Sequence, residues 1–461
     1  MQRRDHNKLA RWVPLTAVTM AAMLATTVFT SATSASSTPG VSGNSILIGA
    51  TVPLTGPAAP GYDEIAPAMD AVFSWVNAQG GVYGRKIHYT FLDDGYNPAN
   101  TATLTRKLVL QDNIFADVGS LGTPTQLAVQ SYLNSEKVPQ LFIESGCNCW
   151  NNPKYPWSFG WQPPYTIEGK ILGAYIEAHF AGKKVGYLYQ DDEFGQDFVK
   201  GLDWEIPASS VVSQQTYDAA TLSGVLADQM GALKAAGAQV VAMATIPAAT
   251  ALAMLPAAAI NYFPQYVISS VGADAPTVGP LLEAFTKAGG GTGAEAAAAT
   301  GLLKGVISVS YFAPESYTSN PWVKTEIALL KKYAPSVWKK YGLDGNTQYG
   351  VALAYTFVQA LEAAGQNLTR QSLVAAIEKA GHNFVTPGFV PLSYWTSVHY
   401  GFEGEEVTQL TTSAPKAVTP TGSWIGGIAL TKVEVTGPGG GPIKLYTGKT
   451  SLPPKSLTST S

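Results

Sequence analysis

Thr123, Pro124, Thr125 and Gln126 are the residues whose order points most directly to chemistry. A hydroxyl residue followed three positions later by Gln reads as a capping box, with proline at the first helical position. The quartet follows a strand predicted over 115–119. Two hydroxyls and the free N–H groups of a helix start are therefore expected at the carboxyl end of a strand. Such donors suit a carboxylate or another oxygen acceptor, although an ordinary helix cap also explains them. The paired acids Asp93 and Asp94, and the run Asp191, Asp192 and Glu193, sit at predicted strand ends beside turns. There they read as solvated or helix-capping groups rather than as acid/base or metal-binding carboxylates. The chain has no GxSxG elbow, HExxH, P-loop or GxGxxG after a strand. His88, His179, His382 and His399 lack metal-ligand spacing. No catalytic residue, metal or cofactor is expected, and the chain does not read as an enzyme.

The elements that must position these residues alternate. A short apolar strand over 45–52 is followed by Ile65, Met69, Val72, Phe73 and Val76 at helical spacing. Strands over 86–92, 115–119 and 140–143 follow, separated by helices over 101–111 and 126–135. Strands over 184–189 and 239–244 restart the same grammar, with a helix stripe from Leu222 to Leu233 between them. Repeated βα units imply parallel sheets with helices on both faces. A crossover strand is predicted over 306–312 and a long helix over 348–364. After Pro387 the texture turns β-rich and is punctuated by Gly, Pro and Thr. A length of 461 residues fits two lobes, and the low share of charged residues, 13%, leaves ample material for two cores.

Arg3, Arg4, Lys8 and Arg11 precede an uncharged apolar run over 13–29 and small residues over 30–35. This is the three-part export pattern, with cleavage expected after Ala32 or Ala35; a retained anchor is the alternative. Removing residues 1–35 takes away four of the 29 basic residues and one of the 32 acidic ones. That leaves 25 against 31, a net charge of −6. Nucleic acid is therefore not an expected partner. Export places the chain outside the cytoplasm, in the cell envelope or secreted. Neither cysteine lies in the export segment, so no lipid-accepting cysteine marks the cleavage site. Cys147 and Cys149 could close a tight ring, bridge two molecules or remain free thiols.

Four segments together resemble the branched-chain-amino-acid-binding family of solute-binding proteins of ABC transporters. They are 48–57 (IGATVPLTGP), 76–87 (VNAQGGVYGRKI), 117–125 (DVGSLGTPT) and 138–146 (VPQLFIESG), with weaker similarity at 186–195 (GYLYQDDEFG). The resemblance implies an α/β type I periplasmic binding fold of the venus-flytrap kind. Two Rossmann-like lobes with parallel sheets would be joined by a three-strand hinge, with ligand held in the cleft between them. The expected organisation is a signal peptide over 1–35 and a linker over 36–44. The N-terminal lobe takes 45–166 and 309–385, the C-terminal lobe takes 167–308 and 386–451, and a flexible tail takes 452–461.

By motif position the resemblance assigns the grip on a ligand carboxylate to Thr123, Ser145 and Cys147, and a covering ring to Phe194. The acid that pairs with an amino acid's ammonium falls near Ser270, where no carboxylate stands. A buried ammonium needs a partner, and Glu144 is the candidate; otherwise it is a solvated edge residue. The full expected ligand set is Tyr62, Gly122, Thr123, Glu144, Ser145, Gly146, Cys147, Phe194, Thr245 and Ser270. The aromatic stretch over 149–161, with Trp150, Trp157 and Trp161, either stacks on a planar ligand or packs a hinge. The implied function is capture of a small organic solute (amino acid, amide or aromatic acid) by a monomer, for delivery to an ABC permease. A ligand-sensing receptor on the same fold and a secreted enzyme are the alternatives.

Overall fold

Short, nearly all-apolar strands cannot face water on either side, and each needs a helix on both faces. The computed structural model, which describes residues 38–222, 224–411 and 428–454, resolves this need in two sheets. The first contains β1 (Ser45–Val52), β2 (Lys86–Asp93), β3 (Ala116–Val118), β4 (Gln140–Ile143) and β5 (Ser158–Gly160), in the order β2-β1-β3-β4-β5. All its neighbouring strands are parallel, and β1 runs in register with β2 from Ser45 beside Lys86 to Val52 beside Asp93.

The second sheet contains β6 (Val185–Gln190), β7 (Val211–Tyr217), β8 (Val240–Ala244), β9 (Gln265–Ile268), β10 (Ile307–Ser310), β11 (Gly404–Leu410), β12 (Ile428–Val435) and β13 (Lys444–Leu445). Their order is β13-β12-β11-β10-β9-β8-β6-β7. From β6 to β10 the neighbours are parallel; β11, β12 and β13 then add antiparallel strands at one side. These last three form the β-rich texture read after Pro387. Among the described residues no helix is long and apolar enough to cross a membrane.

Helix Ile65–Ala78 buries Ile65, Met69, Val72, Phe73 and Val76, the stripe read from sequence. Each such side chain stabilises the fold by about 1.5–3 kcal/mol relative to exposure. This helix packs on Gly345–Ala364, where the rings of Phe73 and Phe357 meet edge to face at 6.1 Å. In the second lobe, helices Tyr165–Phe180 and Glu193–Asp203 cross through paired glycines. A Cβ on Gly169 would lie 2.1 Å from the Phe198 carbonyl oxygen, and one on Gly201 would lie 2.4 Å from that of Thr166. Only glycine permits backbones this close.

The chain passes between the two sheets three times: after β5, after β10 and before β11. Trp161, Phe312 and Phe402 stand one on each passage. The Trp161 ring lies 5.7 Å from Phe312 and 5.3 Å from Phe402, and those two rings are 5.8 Å apart and perpendicular. The Trp161 indole N–H donates to Thr356 Oγ1 at 3.1 Å. Trp150, Phe159 and Trp161 are fully buried, and of the aromatic stretch over 149–161 it is Trp161 that packs the hinge, while Tyr155 and Trp157 are only partly buried. Residues 38–44, expected as a linker, fold back onto the first sheet: Val41 pairs with Ile46, and the Gly40 carbonyl accepts from Leu47 N at 2.7 Å. The expected export segment over 1–35 and tail residues 455–461 lie outside the described residues.

Candidate functional site

The strands of both sheets end at a common crevice, the place where open α/β sheets bind ligands. A cavity of about 190 Å³ occupies it. By comparison, a cavity of ~150 Å³ is enough to hold benzene. From the first lobe it is lined by Tyr62, Tyr96, Leu121, Gly122, Thr123 and Glu144, with Asn346, Gln348 and Tyr349 from the returning segment. Phe194, Ser270, Asp274 and Ser308 come from the second lobe, and Gln162, Tyr165, Tyr311, Phe312 and Glu315 from around the hinge passages. Six of the ten residues expected from sequence thus reach the wall. Ser145, Gly146, Cys147 and Thr245 stand behind it.

The helix start at Thr123 differs from the capping box expected. Gly122 is the N-cap, with φ +107°, and helix Thr123–Ser135 begins at Thr123 with no side-chain cap. A Cβ on Gly122 would meet Thr125 Oγ1 at 2.4 Å and the Tyr96 ring at 2.6 Å. Since the N-cap is the glycine, the Thr123 hydroxyl is free to pair with Ser145 Oγ at 2.7 Å, beside the Tyr165 hydroxyl. Ser145 Oγ also accepts from Cys147 N at 3.2 Å, and the Ser145 carbonyl accepts from the Trp150 indole at 3.0 Å. Cys147 and Cys149 are joined by a disulfide, one of the three arrangements the sequence left open. The Cys147 sulfur is therefore tied into this turn and does not face the cavity.

Glu144 is not a solvated edge residue. It is 6% exposed, and its backbone is clamped between Ser120 O, which accepts from Glu144 N at 3.0 Å, and Gly122 N, which donates to Glu144 O at 3.2 Å. Among the described residues neither of its carboxylate oxygens, both inaccessible to solvent, has a hydrogen-bond partner. Burial pushes this carboxyl well above the ordinary range.

On the opposite wall Phe194 starts helix Glu193–Asp203 under the Asp192 cap, and its ring lies 4.5 Å from that of Tyr165. Thr245 is wholly buried, and its hydroxyl pairs with Thr250 at 2.7 Å. No carboxylate stands at the Ser270 position itself, but one from another segment meets it. Glu168, about a hundred residues earlier in the chain, accepts from the Ser270 backbone N–H and from its hydroxyl at 3.4 Å. Burial lifts Glu168 to about 7, offset in part by the Ser270 N–H.

Two further acids on the wall escaped the sequence reading. Asp274 caps helix Ala275–Ala288 through Thr277 N at 3.0 Å and is lifted to about 7 by burial and the nearby charge of Asp344. Glu315 is lifted to about 8 by burial and the charge of Asp274. The Asp274 cap was visible as Asp-x-x-Thr ahead of a helix; nothing local marked Glu315. Of the acids at strand ends, Asp93 caps a turn and Asp192 a helix start, as their sequence context suggested, whereas Asp94 is wholly buried and accepts from Tyr96 N and Thr101 Oγ1.

The two walls touch. Tyr62 Oη donates to Val271 O at 2.9 Å, Gln190 Nε2 to Tyr96 Oη at 3.2 Å, Asn346 Nδ2 to Thr277 Oγ1 at 3.1 Å and Gly345 N to Asp274 Oδ1 at 3.3 Å. These bonds hold the two lobes against each other beside the cavity.

Two α/β lobes, three passages and a cavity between strand ends define a bilobed type I periplasmic binding fold. The chain belongs to the periplasmic binding protein family, whose model matches residues 45–399. It is 26% identical over 156 residues to a Leu/Ile/Val-binding protein homolog 1 of Brucella abortus, a match covering 33% of this chain and 40% of that one. A branched-chain amino acid ABC transporter structure from Thermus thermophilus with bound valine superposes with a TM-score of 0.68 at 17% identity, over 85% of this chain and 97% of the other. A fatty acid ABC transporter substrate-binding protein from Thermomonospora curvata gives 0.69 at 19% identity, over 86% and 94%.

Proposed function

We propose that this protein captures a small organic solute between its lobes and delivers it to an ABC importer, without chemical change to the solute. The observation that carries the reading is the cavity between the lobes, flanked by hydrogen bonds from lobe to lobe. Opening at the hinge would admit a solute, and closure would remove it from water and strengthen each polar contact. Thr123 and the free N–H groups beside it form the oxygen-acceptor subsite, held by Ser145 and the disulfide-tied turn behind it. Glu144 and Ser270 face the solute's polar groups, and Tyr62 and Phe194 supply apolar wall. Gly122 and Gly146 allow the close approach of backbone, and Thr245 fixes the floor under Ser270.

The named ligands of similar proteins, valine in one and fatty acid in another, differ in class. The family does not by itself choose this chain's ligand. The export pattern in the sequence supports action outside the cytoplasm, as a monomer that presents its closed form to a permease.

The test is thermal denaturation of the purified protein with a panel of amino acids, amides, amines and carboxylic acids. A binder at 100 times its Kd stabilises by ~2.7 kcal/mol. A shift confined to one chemical class, lost in Thr123→Val or Phe194→Ala, supports the reading. No shift across the panel, together with turnover of any member, opposes it.

A further inference from the structure

Cys147 and Cys149 are bonded to each other, and Asn148 is the one residue inside the ring they close. The ring holds the two Cα atoms 5.1 Å apart, whereas an extended chain would set them about 7 Å apart. Asn148 therefore stands at the apex of a pinched turn. Its backbone N–H donates to Asp197 Oδ2 at 2.8 Å, and its side-chain amide donates to the Thr166 hydroxyl at 3.0 Å. Thr166 and Asp197 belong to the second-lobe helices Tyr165–Phe180 and Glu193–Asp203. Both donors of Asn148 thus cross from the first lobe to the second.

The flanks of the turn are tied to the first lobe. Cys147 N donates to Ser145 Oγ, the Trp150 indole to Ser145 O, and Gln130 Nε2 to Cys149 O at 3.3 Å. Ser145 in turn pairs with Thr123. On the far side, Asp197 lies one turn after Phe194 on the same helix. A short path therefore runs from Thr123 through Ser145, the ring and Asn148 to the helix that carries Phe194. Asn148 and Cys149 are partly exposed, so the apex of the turn is open to a reagent.

We infer that the Cys147–Cys149 bond is a redox switch on the contact between the lobes: oxidised, it holds Asn148 where it can bond Asp197; reduced, it releases that bond. The consequence for the cavity rests on the solute-binding reading above, because the released helix carries Phe194. The reductant is a dithiol. One of its thiolates attacks a sulfur of the bond, and the other cysteine leaves as a thiolate and takes up a proton. The second thiol of the reagent then displaces the first cysteine. Both cysteines end as thiols and the reagent as a cyclic disulfide. Outside the cytoplasm the bond persists, and reducing surroundings would break it.

Iodoacetamide labelling after denaturation and hydrogen exchange of the folded protein, each with and without dithiothreitol, test this. No solute is needed, so failure here leaves the solute-binding reading standing. Neither cysteine is expected to be labelled without reductant, and both after treatment of the folded protein with dithiothreitol. Reduction is expected to speed exchange of the Asn148 N–H by about ten-fold or more. It is also expected to speed exchange in helix Glu193–Asp203, while helix Ile65–Ala78 keeps its rate. Asp197→Ala in the oxidised protein is expected to reproduce both increases, and reduction then adds nothing further in helix Glu193–Asp203. Cys147→Ser combined with Cys149→Ser is expected to match the reduced protein.

Labelling of both cysteines without reductant overturns the inference, as does a bond that resists dithiothreitol in the folded protein. Reduction that leaves helix Glu193–Asp203 unchanged also overturns it. So does an equal increase in helix Ile65–Ala78, which marks a general loss of stability in place of a released contact.

Discussion

Thr123 Oγ1 and Ser145 Oγ, 22 residues apart, lie 2.7 Å from each other and join the two loops that close the first-lobe side of the cavity. Thr123 is 2% exposed and Ser145 wholly buried. Ser145 Oγ is also held by Cys147 N, and the Tyr165 hydroxyl lies beside both groups. Thr123→Val keeps the shape and removes the bond. It is expected to destabilise the protein by about 1 kcal/mol, the net worth of a buried hydrogen bond, and to weaken solute binding. Chemical denaturation and ligand titration of the same variant check both effects.

Gly122 sets up that pair by serving as N-cap in a left-handed conformation. Gly122→Ala adds a Cβ against Thr125 Oγ1 and the Tyr96 ring at a φ of +107°. Alanine at a glycine-only conformation costs more than about 1 kcal/mol. Any relaxation moves the Thr123 hydroxyl away from Ser145. The expected result is a lower melting temperature and weaker binding together. A variant with unchanged melting would show that the turn tolerates a side chain.

Much of this was legible in the sequence. The stripe from Ile65 to Val76, the strand positions and the helix start near Thr123 follow from local periodicity and turn chemistry, whereas the loop after Glu144 follows from family resemblance. The acids did not, because their meaning is non-local. Glu168 reads as a first-turn helix acid, and only the tertiary fold brings it under Ser270. Glu315 sits in an irregular stretch with no periodic signal. Glu144 follows a strand, where an exposed edge and a cavity wall look alike from sequence. The capping box at Thr123 matched its pattern and still failed, because the preceding Gly122 took the N-cap position. The aromatic run over 149–161 announced burial without saying where; the passages at Phe312 and Phe402, 150 and 240 residues later, decide it.

Trp161 is the member of that hinge cluster with the most to lose. Its ring contacts Phe312, Tyr349 and Phe402, and its N–H is bonded to Thr356. Trp161→Ala is expected to cost about 3–5 kcal/mol. Trp161→Phe, which keeps a ring and loses the N–H donor, is expected to cost less. Urea denaturation of both variants measures the difference. Equal midpoints for wild type and Trp161→Ala would exclude a packing role at the hinge.

Stability is expected to fall as pH rises from about 4 to about 8, the reverse of the usual carboxylate pattern. Glu315 and Glu326 are lifted to about 8, and Asp117 and Glu168 to about 7, each chiefly by burial. Unfolding returns such groups to about 4. Between these values the folded state holds protons that the unfolded state has lost, so raising the pH favours unfolding. His399 opposes the trend, because burial lowers its value and its protonation below about 6.5 favours unfolding. The lifted acids outnumber it, and melting is expected to be higher at pH 5 than at pH 8.

Glu144 contributes in the same direction, since its carboxylate has no partner when ionised. Glu144→Gln removes the charge and keeps the shape. At pH 8 it is expected to stabilise the ligand-free protein by about 1 kcal/mol, the low end of the cost of an unpaired buried group. At lower pH, where burial favours the protonated carboxyl, the difference between the two proteins is expected to shrink. A stabilising change that also weakens solute binding would identify Glu144 as a residue kept for its ligand at a cost to the fold. Destabilisation at both pH values would instead assign it a structural role.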